Sequence, residues 1–165
     1  MRILGIDPGS RVTGYGVVEF DRGRLSLVMA GAITAGSRAP DLPARLRSAA
    51  DGLRDVIQRW SPEVAAVENV FHHANVRSAL VLAHVRGALI LEAARAALVV
   101  HEYTALQVKK ALVGNGHAEK EQVRSMVMRL LSLKELPRPH DVSDALAVAI
   151  CHAHSSRVRS QWSGK

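Results

Sequence analysis

The chain has 165 residues, of which 48% are hydrophobic, 4% are aromatic and one is cysteine, so it is expected to form one globular domain without an internal disulfide. Lys and Arg outnumber Asp and Glu by 22 to 15, giving a net charge of +7 and a polyanionic partner as the expectation, with nucleic acid ahead of a membrane surface. The most apolar stretch, Ala79 to Val100, is broken by His84, Arg86, Glu92 and Arg95, which excludes a membrane span. The opening apolar run is too short for a signal peptide, and Cys151 sits in an apolar helical stretch, so a cytoplasmic protein with an inert buried thiol is expected.

Met1 to Ser10 reads as a short strand buried on both faces, with Ile3, Leu4 and Ile6 leading to Asp7 and a Pro8-Gly9 turn of type II. Asp7 then stands at the carboxyl end of a central strand, where open α/β sheets bind ligands, although turn chemistry alone also explains it. Thr13 to Phe20 and Arg24 to Thr34 are two more strands, joined by a hairpin at Asp21-Arg22-Gly23. Gly14 and Gly16 signal either a close backbone approach or a bend. Ala35 to Asp41 is a loop of small residues, and Pro43 to Trp60 is an amphipathic helix.

Val64 to Val67 form a second buried strand that ends in an acid, Glu68. Asn75 to Leu98 is a helix with apolar residues on nearly every side, more than one sheet face can cover. A strand follows from Val99 to Glu102, then helices at Thr104 to Val113, Glu119 to Leu131 and Asp141 to His154. The order of elements predicts an α/β fold with a five-stranded mixed sheet flanked by helices. The domain is placed at residues 1–155, with a basic, flexible tail at 156–165. Between Thr104 and His140, seven Lys and Arg stand against three acids, which marks Lys109, Lys110, Lys120 and Arg124 as a phosphate-contacting face.

Asp141 and Asp144 are three residues apart at a helix start, where an N-cap and its capping-box partner would also stand. With Asp7 and Glu68 they make four acids at element ends in an otherwise basic chain. Oxygen ligands without a cysteine cluster suit a hard cation, Mg²⁺ or Mn²⁺, and an acidic pocket within a basic surface suits phosphodiester hydrolysis. His140, beside Asp141, is the one histidine placed to join such a site.

Five stretches together, Gly5-Ile6-Asp7-Pro8-Gly9, Glu68-Asn69-Val70-Phe71, Gln107-Val108-Lys109, Val113 to Lys120 and Asp141 to Ala147, resemble the bacterial RuvC family of Holliday-junction resolvases. The resemblance covers all but the tail. It implies a ribonuclease H-like fold and a homodimer that nicks four-way DNA junctions symmetrically, using Mg²⁺ and water. It further implies junction-binding and branch-migration partners, RuvA and RuvB. By position, Asp7, Glu68, Asp141 and Asp144 fall on the family's catalytic acids, Lys109 and Lys120 on basic residues near the cut, and Phe71 on an aromatic that stacks on a base. The competing readings are a relative of the same fold that acts on structured RNA, an actin-like ATPase, and a non-catalytic basic DNA-binding module. One domain is too little for the ATPase, and the four intact acids speak against the binding module.

Overall fold

The computed structural model describes residues 1–34, 41–69 and 75–162, with side chains up to residue 156. Five strands, β1 (Arg2–Asp7), β2 (Val12–Asp21), β3 (Arg24–Thr34), β4 (Val64–Asn69) and β5 (Val99–Thr104), form one sheet in the order β3-β2-β1-β4-β5. β2 pairs antiparallel with β1 and β3, while β4 runs parallel to β1 and β5. The hairpin falls where the sequence places it, with both loop residues at positive φ, Arg22 at 45° and Gly23 at 85°, as a turn matched to the strand twist requires.

Two-residue periodicity gives the sheet two cores. Ile3, Val18, Val64 and Ala66 face one side, covered by α3 (Ala105–Val113), α4 (Lys120–Leu130) and α5 (His140–Trp162). Leu4, Ile6, Val17 and Val67 face the other, covered by α1 (Leu42–Trp60) and α2 (Val76–Arg95). The main helices carry explicit start and stop signals. Asp41 caps α1, accepting from the Ala44 amide at 2.9 Å, and α3 opens with a reciprocal Thr104/Gln107 capping box. Gly114 at φ 81° ends α3 in the left-handed conformation that favours glycine. Glu119 and Gln122 form a second capping box, which makes Lys120 the first residue of α4.

Three expectations are corrected. Gly9 is not one of the positive-φ glycines, so Pro8-Gly9 is not a type II turn; glycine is needed there because a Cβ would strike the Val12 carbonyl. α5 begins at His140, which puts Asp141 inside the first turn rather than at the cap. At the other end, α5 continues to Trp162, so the segment from Ser155 starts as helix. No glycine or proline interrupts it before that point, and the Ser155 and Ser156 hydroxyls donate back to the Cys151 and Ala153 carbonyls. Leu82 and Leu89 are buried, and the uncovered apolar side of α2 is the stripe of Val76 (75%), Leu80 (56%) and Leu91 (53%), exposed around Gly87. The Ala35–Asp41 loop, apart from Asp41, lies outside the described residues, as does Phe71. Cys151 is buried as expected, and burial pushes its thiol up to about 11.

Candidate active site

Strand alternation puts Asp7 and Glu68 on the same face of the sheet. Ile3, Gly5 and Asp7 share one side of β1, and Val64, Ala66 and Glu68 share the matching side of β4. The two strands are adjacent, parallel and in register at Ile6 and Val67, so both carboxylates emerge together at their carboxyl ends. The other pair arrives on α5, which lies directly against β1 and β2. Glycine makes that approach possible, because a Cβ at Gly5 would strike the Ala145 carbonyl and one at Gly14 the Asp141 carbonyl. Gly14 is also the β2 partner of Asp7, so one of these two close approaches of helix to sheet occurs beside that acid. The close-approach reading of Gly14 therefore holds.

Asp7, Glu68, Asp141 and Asp144 all line one cleft of about 590 Å³, together with Ser10, Arg11, Ser78, Lys109 and Lys120. Burial, reinforced by the charges of Glu68, Asp144 and Asp141, pushes the Asp7 carboxyl up to about 8. Asp7 is therefore largely protonated at neutral pH and donates to Glu68. Burial also raises Glu68, with Asp144 adding to it, while the Asp7 hydrogen bond and Lys120 act in the opposite direction. Asp144 is raised by burial first, against the lowering pull of Lys120 and Arg124. Among the described residues, no three Asp, Glu, His or Cys are gathered into a ready-made metal site; the acids line the cleft close enough for the charges of Glu68, Asp144 and Asp141 to raise Asp7.

The remaining predicted residues separate. Lys109 and Lys120 face the cleft, whereas Lys110 is exposed and does not line it. Arg124 is turned inward, its side chain 11% exposed and paired with Glu121 at 2.6 Å, and its charge acts on Asp144. His140 is exposed at the start of α5, and its charge also acts on Asp144. Sequence reasoning missed Arg86, whose Nε donates to the Glu68 carbonyl at 3.3 Å and whose guanidinium pairs with Glu102, pinning the end of β4. It also missed Ser10, Arg11 and Ser78 on the cleft wall. Ser10 and Arg11 directly follow the Asp7-Pro8-Gly9 signal, but Ser78 reaches the wall only through folding.

The sequence profile of the family described as crossover junction endodeoxyribonuclease RuvC matches residues 3–152. A crossover junction endodeoxyribonuclease RuvC from Pelobacter propionicus is 57% identical over 158 residues, covering 96% of this chain and 89% of the relative. One from Nitrosomonas eutropha is 53% identical over 154 residues, covering 93% of this chain and 85% of the relative. Among solved structures, Thermus thermophilus RuvC in complex with Holliday junction substrate superposes with a TM-score of 0.90 at 36% identity, covering 96% of both chains. The five-stranded mixed sheet with its flanking helices is the ribonuclease H-like fold of that structure. With the acids gathered at one end of this sheet and a sequence match that runs nearly from end to end, the chain belongs to the RuvC family of crossover junction endodeoxyribonucleases.

Proposed function

We propose that two copies of this chain resolve a four-way DNA junction, each hydrolysing one of two opposed strands at its four-acid cleft with the help of Mg²⁺, for which Mn²⁺ can substitute. The observation that carries this reading is the convergence of Asp7, Glu68, Asp141 and Asp144 on one cleft flanked by Lys109 and Lys120. The donor set fits a hard divalent cation, since all four side chains are carboxylates and burial, reinforced by the neighbouring negative charges, pushes the Asp7 carboxyl up to about 8, a crowding that a cation would offset. Such a cation, when bound, supplies a more acidic water and offsets charge on the phosphate.

The chain's own residues do the rest. β1 and β4 hold Asp7 and Glu68 on a rigid sheet end, and α5 presents Asp141 from its first turn and Asp144 from the next. Lys120, close enough to act on both Glu68 and Asp144, places a positive charge where the phosphodiester becomes more negative. Lys109, on the same wall, holds the backbone over the acids. The exposed stripe of Val76, Leu80 and Leu91 on α2 is the two-fold contact between copies, because a flat apolar face around Gly87 is self-complementary. No helix among the described residues is long and apolar enough to cross a membrane, so the stripe is not part of a span.

The test is cleavage of a labelled synthetic four-way junction beside a plain duplex, with Mg²⁺, with Mn²⁺ and with chelator. Paired nicks in the junction alone, dependent on added metal, are expected. Equal cutting of duplex and junction, or cutting in chelator, overturns the reading.

A further inference from the structure

A second cavity, of about 450 Å³, adjoins the acid cleft and shares Ser10, Arg11 and Ser78 with it. Arg45 and Arg77 complete its basic lining, so three guanidiniums surround a space with one carboxylate, Asp41. That carboxylate already caps α1, accepting from the Ala44 amide at 2.9 Å. Arg2, Arg54, Arg86, Arg95 and Arg124 each have a carboxylate partner, whereas among the described residues Arg11, Arg45 and Arg77, like the outlying Arg22, Arg24, Arg47, Arg59, Arg129 and Arg138, have none; what sets these three apart is that they converge on one cavity. Arg45 is the most telling of the three. Its Nε, like that of Arg124, is buried without a hydrogen-bond partner, which costs stability, and the cavity lies against the same guanidinium group.

We infer that this cavity is a second phosphate subsite, holding a backbone phosphodiester of the DNA strand next to the one presented to the acids. The inference rests on the nuclease reading above and extends it to residues outside the basic segment Thr104 to His140. A phosphodiester offers two unesterified oxygens and one negative charge, which matches the forked donors of Arg45 and Arg77, while the Ser10 and Ser78 hydroxyls donate from the shared wall. Arg11 stands between the two cavities and bridges successive phosphates. Held on both sides of the scissile bond, the strand has a fixed register over the carboxylates.

The test compares the full chain with Arg11→Ala/Arg77→Ala and with Arg45→Met, which keeps the aliphatic stem. Junction affinity is measured by fluorescence anisotropy in chelator across a salt series, and Tm is measured without DNA. Loss of one phosphate contact should flatten the slope of log K against log salt by about 0.9 and raise Kd about tenfold at 0.15 M salt. Arg59→Ala, at an exposed α1 position outside the cavity, should leave the slope unchanged. Arg45→Met should keep or raise the Tm while weakening binding, since it removes an unpartnered buried donor. An unchanged slope and Kd in the double variant, or a lower Tm in Arg45→Met, overturns the subsite. The parent is assayed for metal-dependent junction cleavage in parallel. If the parent cuts the junction while the variants bind as it does, the subsite alone fails; if the parent does not cut, the nuclease reading fails first.

Discussion

Replacing Asp7 by Asn should make the metal-free protein more stable and the enzyme inactive. In the fold, burial and three neighbouring carboxylates raise Asp7 from 3.8 to about 8, so between those values the folded chain holds a proton that the unfolded chain has released. Stability therefore falls as pH rises through that window, with a ceiling of about 1.4 kcal/mol per pH unit and roughly 4 kcal/mol between pH 4 and pH 7. Asparagine resembles the protonated acid and removes this penalty. Glu68 remains and keeps its own share of the pH dependence, so a gain of about 2 kcal/mol at pH 7 is expected, or a Tm higher by about 4–8 °C. Added Mg²⁺ should raise the Tm of the parent more than that of the variant, because binding to the folded state alone stabilises it. Thermal melts from pH 4 to 9, with and without Mg²⁺, read both effects, and the junction assay should show cleavage reduced by a thousandfold or more. If parent and variant share one pH dependence, Asp7 is not a crowded carboxylate and the turn explanation is sufficient.

Gly14→Val should cut cleavage by at least tenfold and lower the Tm, since its Cβ meets the Asp141 backbone and pushes α5 away from β2; full activity would show that the acids do not need this close approach. Leu80→Glu should give monomers by sedimentation with an unchanged subunit Tm, whereas Leu89→Glu, fully buried, should unfold the subunit through an unpaired core charge; a dimer that survives Leu80→Glu places the contact elsewhere. Lys120→Ala should slow single-turnover cleavage more than it weakens junction binding, and equal losses in both would make it a backbone contact only. Arg86→Ala should lower the cleavage rate at saturating junction by about tenfold through a loosened Glu68, and an unchanged rate would show that the β4 end holds without it.

Local chemistry determined much of this protein. Short-range rules, namely two-residue alternation, helical spacing, the Arg22-Gly23 turn and the caps at Asp41, Thr104 and Glu119, act between neighbours in the chain, so the elements and the mixed sheet could be read from residues alone. The acids were legible for the same reason, since each lies at or near the end of a strand or the start of a helix. What the sequence left open was direction and distance. Leu82 and Leu80 are equally apolar along the sequence, and only tertiary packing buries one and exposes the other. Arg124 carries the same charge as Lys120, yet the fold turns it inward beside Asp144. Asp141 and Asp144 reach Asp7 across more than 130 residues of chain because Gly5 and Gly14 let a helix lie on the sheet backbone; Gly14 hinted at a close approach, but not at which helix makes it. The elevation of Asp7 to about 8 likewise belongs to tertiary structure, since it arises from burial and from charges that only folding brings together.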